Sequence, residues 1–312
     1  MQLGDPHPDL ENWRANVGEP ISLDLAPPLA APPFAIDVLC WNVAIGKGRL
    51  TERLRALTDV SARVTGTRPL VVLVQEAYRT DDSVPEASSA HHGGKAPRNL
   101  RENIADVARA LNFSLRYAPS MRNGNHRSDR GNAILTSAAI AGTHWLTLPY
   151  VRQRREAMAV KLAGTTHDIW FGNAHLDTHG RHRPHPVQGI RATQRGFGAG
   201  RAAQAAALAD SLLTTTGPDA DVVLGGDLNS YLGLRDPVMR ELVSHGFRHS
   251  TRVGRWRHTF HGPIRLMLDH VMFRPSRGIE SVQVRRLDEG TDRSRRVFGS
   301  DHHPLLATVT LR

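Results

Sequence analysis

The chain has 312 residues, of which 40% are hydrophobic and 22% are charged. That composition excludes a disordered chain, and the length suffices for one large α/β domain or two small ones. Its 40 basic residues outnumber its 30 acidic ones, and the net charge of +10 attracts phosphates, nucleic acids or acidic lipid surfaces. Only three of the basic residues are lysines. Coding composition also produces such an arginine bias, so the charge alone does not decide whether a binding surface exists.

The sequence also bears on where the protein works. It has no run of 18 apolar residues, so no transmembrane helix is expected. The first thirty residues lack the basic and apolar regions of a secretory signal. The single cysteine, Cys40, cannot form an internal disulfide, so the core must provide the stability. We therefore expect a cytoplasmic protein.

The pattern of apolar residues predicts an extended N-terminal arm over 1–33, rich in proline and alanine, and one domain over 34–312 without an internal repeat. Short apolar runs predict strands, and apolar residues at helical spacing predict helices. The predicted strands are 34–43, 68–76, 113–119, 131–137, 156–164, 167–178, 221–229, 264–274, 279–287 and 304–311. The predicted helices are 48–64, 99–112, 191–217 and 236–246, and 80–98 has the composition of an exposed loop.

Polar residues stand at or just past the ends of the apolar runs. They are Asn42, Glu76, Asn173, His175, Asp227, Asn229, Asp269 and the segment 300–303, which reads Ser-Asp-His-His. Ligands of open α/β sheets bind outside the ends of strands, so we expect these side chains to form one site.

The chemistry of this set favours a phosphate ester. Carboxylate and amide oxygens suit Mg²⁺ or Mn²⁺, whereas neither a CxxC nor an HExxH motif is present to bind zinc. A histidine held by an aspartate can take a proton from water, while the metal neutralises charge on a phosphoryl oxygen. The residues therefore predict metal-assisted hydrolysis of a phosphate ester.

Seven motifs in order along residues 36–311 resemble the endonuclease/exonuclease/phosphatase superfamily, which has the deoxyribonuclease-I-like fold. They read WNV, VQEAY, GNAIL, NAHLDT, GGDLNS, LDHVMF and GSDHHPL. One motif alone is weak, but seven in family order, each at a strand end, are specific. The resemblance implies an α/β fold that is a four-layer α/β/β/α sandwich, with two packed, mainly antiparallel sheets. The sequence looks most like uncharacterised bacterial members.

The resemblance also implies a metal site for Mg²⁺ or Mn²⁺. Glu76 resembles the direct metal ligand, Asn42 its partner, and Asp301 a second carboxylate on the metal side. Whether one or two metals bind stays open.

The catalytic roles that the resemblance implies fall on five residues. His302 looks like the general base and Asp269 like the residue that orients it. Asp227 and Asn229 resemble the pair that positions the attacking water and the phosphate, and Asp227 could share the role of base. His175 resembles the histidine that contacts the phosphate and assists the leaving group.

Further residues are expected near the substrate. We predict phosphate or substrate contacts from Asn132, Asn173 and His303, of which His303 occupies the variable position of the S-D-H-x-P pattern. His270 is expected to be structural, because alternation along its strand turns it away from the partner of Asp269. The histidines of the 175–185 segment could contact phosphate or a metal, or could lie in a solvated loop.

The sequence does not name the substrate. Three hypotheses stay open: a Mg²⁺-dependent phosphodiesterase, of which a nuclease is one form; a hydrolase of small or lipid phosphoesters, of the sphingomyelinase or phosphatase kind; and a catalytically silent protein that binds phosphorylated ligands. We expect a phosphate ester, such as a nucleic acid, as the partner. We predict a monomer without a stable protein partner.

Overall fold

The computed structural model describes residues 10–64, 68–86, 101–178, 198–287 and 298–312. Five α-helices, one short 3₁₀ helix (Gly233–Arg235) and sixteen strands lie in these ranges. The helices are α1 (Leu10–Arg14), α2 (Leu50–Val64), α3 (Ile104–Leu111), α4 (Ala199–Thr216) and α5 (Pro237–Ser244). The strands of the first half are β1 (Ile21–Leu23), β2 (Ala35–Asn42), β3 (Leu70–Arg79), β4 (Ser114–Arg122), β5 (Asp129–Thr136), β6 (Ile140–Thr147), β7 (Glu156–Leu162) and β8 (Ile169–His175). Those of the second half are β9 (Asp221–Asp227), β10 (Arg248–His249), β11 (Thr251–Val253), β12 (Phe260–His261), β13 (Arg265–Leu266), β14 (Asp269–Arg274), β15 (Ile279–Arg286) and β16 (Leu305–Leu311).

The strands form two large sheets and one small hairpin. The first sheet has the order β1-β4-β5-β3-β2-β16-β15-β11, and the second has the order β10-β14-β9-β8-β7-β6. Most neighbours are antiparallel, but β2 pairs with β3, β8 with β9 and β11 with β15 in parallel. The hairpin is β12-β13.

Alternation of side chains along the strands builds three apolar layers. In β2, Ile36, Val38 and Cys40 pack between the two sheets, whereas Leu39 and Trp41 pack under the helices α2 and α3. A third cluster lies between the second sheet and the helices α4 and α5. Because the middle of each sheet is buried on both faces, central strands such as β2, β3 and β9 carry continuous apolar runs, as their sequences predict. The four-layer α/β/β/α sandwich is therefore confirmed.

The N-terminal segment differs from the extended arm that its composition predicts. Over residues 10–33 it contains α1 and β1, and β1 pairs with β4 at the edge of the first sheet. The Trp13 Nε1 group donates to the Ser120 carbonyl at 2.7 Å, and the Gly18 N–H donates to Asp129 at 2.9 Å. Proline and alanine content shows that a segment is extended, but not that its edge is paired.

Two strand predictions also change. β6 was not predicted, because its residues are half exposed at the sheet edge and carry no continuous apolar run. The predicted strand 264–274 divides into β13 and β14, and β13 leaves the sheet to pair with β12. Among the described helices, none is long and apolar enough to cross a membrane.

Candidate active site

The predicted residues meet in a cavity at one edge of the sandwich. Asn42 ends β2, His175 ends β8 and Asp227 ends β9, and all three line the cavity. Two of the three parallel pairs, β2-β3 and β8-β9, deliver their carboxyl ends to this edge. The cavity has a volume of about 310 Å³. Its other lining residues among those described are Ala44, Ile45, Lys47, Glu76, Thr178, Asn229, Tyr231, Phe260, Leu266, Leu268, Asp301 and His302.

His302 and Asp269 form a buried pair beside this cavity. Nδ1 of His302 lies 2.8 Å from Oδ2 of Asp269, and both side chains are almost fully buried. The backbone of His302 is fixed as well, because its carbonyl accepts from Trp41 Nε1 at 2.9 Å and its N–H donates to Ser300 Oγ at 3.1 Å. A carboxylate on Nδ1 sets the tautomer and leaves Nε2 for chemistry.

Asp227 faces the free side of this pair. Its Oδ2 accepts from Asn42 Nδ2 at 3.0 Å and lies 3.5 Å from Nε2 of His175 and 3.8 Å from Nε2 of His302. Its Oδ1 accepts from the Asn229 N–H at 3.1 Å. One carboxylate therefore sits between two imidazoles inside a buried site.

The charges of this group shift its pKa values strongly. Burial lowers the pKa of His302, but the charge and hydrogen bond of Asp269, with Asp227 and Asp301, overcome this and raise the pKa to about 10. Burial, with the charge of Asp269, raises the pKa of Asp227 to about 6, although His302, Asn42 and the Asn229 N–H oppose the shift. Two groups with pKa values displaced in this way are typical of a site that moves protons.

Asp269→Asn should lower the pKa of His302 in the metal-free protein. The folded-state pKa lies above the ordinary 6.5, so charged His302 stabilises the fold fully below about pH 6.5. That stabilisation is lost as the pH rises through about 10. We expect the free energy of unfolding to fall over this range in the parent protein and to fall less in Asp269→Asn. NMR titration of the His302 ring measures the pKa, and an unchanged value would contradict the pairing.

Glu76 reaches the cavity through an irregularity in β3. The pairing of β3 with β5 shifts register between Val74 and Ala77, so Gln75 and Glu76 form a bulge. Glu76 has a φ of 52°, a conformation that costs a non-glycine residue of order 1 kcal/mol. The bulge turns a strand residue with a half-buried carboxylate toward the cavity. Strain at this position points to a functional role.

Two amides hold the site in place. The Asn42 side chain accepts from the Ala44 N–H at 3.0 Å while it donates to Asp227. Asn229 has a φ of 48°, which asparagine tolerates, and its Nδ2 donates to the Leu176 carbonyl at 3.0 Å. Its side chain thus ties the ends of β8 and β9 together.

The donor set fits a hard divalent cation. Glu76 and Asp301 are partly exposed carboxylates on the cavity wall, and the Asn42 amide oxygen keeps a second lone pair. Asp227, Asp269 and His302 also bring ligand atoms within 4.8 Å of one another. Asp269 is only 1% exposed and is already bonded to His302, so it is better placed as an orienting group than as a ligand.

Arg155 is a buried cation near the site that sequence reasoning missed. It is 3% exposed, and its buried Nε has no hydrogen-bond partner among the described residues. Burial lowers its pKa, while the charges of Asp177, Glu76 and Asp227 raise it. Burial and the charge of Arg155 hold the pKa of His175 well below its usual value, so the His175 ring is neutral. A buried guanidinium whose charge interacts with the cavity residues Glu76 and Asp227 suits a phosphate oxygen.

Arg155→Met should lower kcat/KM for a phosphodiester by about 10–10²-fold, the free-energy equivalent of one hydrogen bond to a charged group. Arg154→Met is the matched control, because Arg154 pairs with Glu156 at 2.7 Å, whereas the charges that act on Arg155 include those of the cavity residues Glu76 and Asp227. Steady-state kinetics on the two variants measures the difference. Equal losses would show that the effect is one of folding.

Three predicted substrate contacts lie elsewhere. The Asn173 amide is buried between the sheets, donates to the carbonyls of Val74 and Ala133, and accepts from Gln75 at 2.7 Å. Asn132 is 2% exposed and donates to the Glu156 carbonyl at 2.6 Å. His303 packs against two other histidines rather than on the cavity wall. A polar residue near a strand end can equally join two sheets, and the sequence does not distinguish the two uses.

Two other sequence expectations concern histidines. His270 bonds Ser230 Oγ at 2.5 Å and is buried, in agreement with a structural role. His179, His182 and His185 lie outside the described residues.

The described residues match a known protein family over most of their length. A model of the Endonuclease/Exonuclease/phosphatase family matches residues 39–302. The chain belongs to this family. Members of the family are phosphoesterases and nucleases and generally depend on a divalent metal.

Solved structures share the fold at low sequence identity. The chain resembles an endonuclease/exonuclease/phosphatase family protein from Leptotrichia buccalis (TM-score 0.56, 14% identity, covering 89% of this chain and 99% of that one). It also resembles the human Nocturnin catalytic domain with bound sulfate (0.56, 15%, 94% and 98%) and truncated Caenorhabditis elegans TDP2 (0.53, 18%, 90% and 100%). No curated protein sequence matches the chain significantly. These likenesses establish the fold and leave the substrate to the site itself.

Proposed function

We propose that the protein is a divalent-metal-dependent phosphodiesterase that hydrolyses its substrate with a water molecule activated by His302 and Asp269. The observation that carries this is the buried pair, with Nδ1 of His302 on Asp269 and Nε2 turned toward Asp227. Glu76 and Asp301 provide the carboxylates for Mg²⁺ or Mn²⁺ on the same cavity wall.

His302 takes the proton from the attacking water in this mechanism. The water oxygen forms a bond to phosphorus as the bond to the leaving oxygen breaks on the opposite side. The leaving oxygen takes a proton from solvent, and His302 later returns its proton to solvent. Asp227 and Asn229 orient the water and phosphate, and the neutral His175 ring donates to a phosphate oxygen. A bound divalent cation supplies positive charge that neutralises the phosphate and lowers the pKa of nearby His302.

Asp227 is the competing base. Its pKa of about 6 lies near neutrality, and its Oδ2 is 3.8 Å from Nε2 of His302. If Asp227 takes the proton, His302 remains charged and stabilises the phosphate oxygens. Asp227→Asn and Asp269→Asn separate the two roles. If Asp227 is the base, Asp227→Asn removes the acidic limb of the pH–rate profile, and if His302 is the base, Asp269→Asn moves that limb to lower pH because it lowers the pKa of His302.

A basic cleft beside the cavity supports a nucleic acid substrate. The cleft has a volume of about 640 Å³, and Lys47 lines both it and the cavity. Arg49, Arg55 and Arg101 also line the cleft. Although Glu52, Asp59 and Glu102 share its wall, Glu102 bonds the N–H groups at the start of α2. The phosphate backbone of a nucleic acid that extends from the cavity would meet the lysine and the three arginines of this cleft.

An apolar rim supports the second candidate, a lipid phosphoester. Leu232 and Leu234 follow the cavity residue Tyr231 and are 55% and 47% exposed. Ile264, at the tip of the β12-β13 hairpin, is 68% exposed. Exposed leucine and isoleucine next to a polar cavity suit contact with an acyl chain or a lipid surface.

A substrate panel with paired variants tests the two candidates. The panel contains plasmid DNA, single-stranded DNA, RNA, bis-p-nitrophenyl phosphate and sphingomyelin vesicles, each with Mg²⁺ or Mn²⁺. If the substrate is a nucleic acid, the double variant Arg49→Gln/Arg55→Gln should raise KM. It should also reduce the slope of log KM against log salt concentration by up to about 0.9 for each duplex phosphate contact that is lost. Leu232→Ser/Leu234→Ser/Ile264→Ser should leave nuclease activity unchanged.

The opposite pattern favours the lipid candidate. In that case the apolar triple variant loses sphingomyelin hydrolysis and the arginine double variant keeps it. If no substrate turns over with either metal, the phosphodiesterase proposal is wrong, and the protein is better explained as one that binds phosphorylated ligands without cleaving them.

A further inference from the structure

Three histidines form a cluster on the other side of the segment that carries His302. Ligand nitrogens of His258, His261 and His303 all lie within 4.8 Å of one another. The three residues are 9%, 8% and 3% exposed. They do not line the cavity, so the cluster is separate from the oxygen-rich site.

Backbone pairing holds the cluster together. The His261 N–H donates to the Asp301 carbonyl at 2.7 Å, and the His303 N–H donates to the Thr259 carbonyl at 2.7 Å. Phe260 and His302 form a β-bridge between these two bonds. The arrangement therefore turns Phe260 and His302 to the cavity and His261 and His303 to the cluster.

The ring geometry is close to that of imidazoles around one metal ion. The ring centres are 5.3 Å (His258–His303), 5.6 Å (His261–His303) and 5.8 Å (His258–His261) apart. A ring nitrogen binds zinc at about 2.0–2.1 Å, which places ring centres about 5 Å apart at tetrahedral angles. The ligand nitrogens, which lie within 4.8 Å of one another, would have to move to about 3.4 Å apart to bind one ion at tetrahedral angles, and rotation of the rings would bring them closer.

A buried nitrogen in the cluster lacks a partner. Nδ1 of His261 is shielded from solvent and has no hydrogen bond among the described residues. A buried polar atom without a partner costs about 1–3 kcal/mol, and a native structure rarely leaves one without reason. A metal ion would satisfy it.

We propose that His258, His261 and His303 form a second metal site, which binds a borderline cation of the Zn²⁺ class through three imidazole nitrogens. Imidazole selects such ions, whereas Mg²⁺ prefers oxygen. The bound ion would fix the strand pair behind His302 and so position Phe260, whose ring centre lies 5.0 Å from that of His302. The site does not depend on the proposed phosphodiesterase activity.

The positive charge of Arg286 beside His258 disfavours binding of a cation at the histidine cluster. Its Nη1 lies 3.1 Å from Nε2 of His258 and donates to the His258 carbonyl at 3.0 Å, and the charge of Arg265 also acts on this ring. The metal must displace the guanidinium from the ring, which weakens binding. Arg286→Gln removes this charge and should tighten the site.

Cobalt titration of the full-length protein tests the site. After chelator treatment, Co²⁺ is added with Mg²⁺ in excess to occupy the oxygen-rich site. We expect one equivalent to bind with visible absorption bands of a four- or five-coordinate ion and to be displaced by Zn²⁺. His258→Ala, His261→Ala and His303→Ala should each weaken binding by at least about 10–100-fold. Zinc X-ray absorption should show three imidazole ligands.

Controls keep the result interpretable. Circular dichroism and thermal unfolding establish that each variant folds, and His261→Gln replaces His261→Ala if the latter does not. Absence of Co²⁺ or Zn²⁺ binding in the parent protein overturns the proposal. Binding that survives loss of the histidines but disappears in Glu76→Gln also overturns it, because the ion would then occupy the other site.

Discussion

His302→Ala should lower the rate of phosphodiester hydrolysis by about 10²–10⁴-fold, because it removes the general base of the proposed mechanism. The fold should survive, since the backbone carbonyl of residue 302 still accepts from Trp41. Single-turnover kinetics on the best substrate of the panel measures the chemical step directly. The variant loses the catalytic ring and leaves Asp227 and Asp269 in place.

His303→Ala is the matched control, since it removes the neighbouring imidazole. In buffer with Mg²⁺ and without transition metals its rate should stay close to that of the parent protein, because His303 packs against His258 and His261. A severe loss in His303→Ala with a mild one in His302→Ala would show that the two histidines exchange roles. Circular dichroism excludes unfolding as the cause in either case.

Glu76→Gln should abolish most metal-dependent activity. Substitution of groups that only orient a metal ligand costs about 10–100-fold, and loss of a direct carboxylate should cost at least that. Isothermal titration with Mn²⁺ should show weaker binding in parallel. Glu280→Gln makes the same chemical change at an exposed position of β15, outside both the cavity and the cleft, and should be silent.

The free energy of unfolding without metal shows what the backbone conformation at position 76 costs, separately from the role of Glu76 as a metal ligand. With φ at 52°, Glu76→Gly should be about 1 kcal/mol more stable than Glu76→Ala, while neither variant holds the metal. Denaturant unfolding in the absence of metal measures the difference. Unchanged metal affinity and activity in Glu76→Gln would remove Glu76 from the proposed metal site.

Much of the fold was readable in the sequence because each sheet is covered on both faces. Continuous apolar runs such as 34–43 and 221–229 therefore marked strands directly. The strand β6 and the elements of the segment 10–33 were not predicted, because half-exposed strands at a sheet edge carry no continuous apolar run. The position of β6 depends on pairing with β7, the next strand, and that of β1 on pairing with β4, far away along the chain.

For the candidate site as well, the sequence predicted some residues and missed others. Family motifs placed Asn42, Glu76, Asp227, Asp269 and His302, and the structure brings these residues together. Arg155 stood in no pattern, because an arginine at the start of a strand looks like an ordinary surface residue until the other sheet buries it. Asn173 looked like a phosphate contact because the sequence does not show that its amide bonds Gln75, 98 positions earlier.

By itself, the sequence determined the family through motifs of a few residues, and that resemblance implied the two-sheet architecture. Local apolar periodicity marked most of the strands, and the polar residues at their ends indicated the chemical type of the site. Only the tertiary structure decided which polar side chains face the cavity, that the bulge at Glu76 turns a strained carboxylate into it, and that His302 and His303 point to different neighbours. These features depend on contacts between residues about 30 to more than 250 positions apart, such as His302 with Asp269 and Trp41 with His302. Local patterns carry no information about such distant contacts.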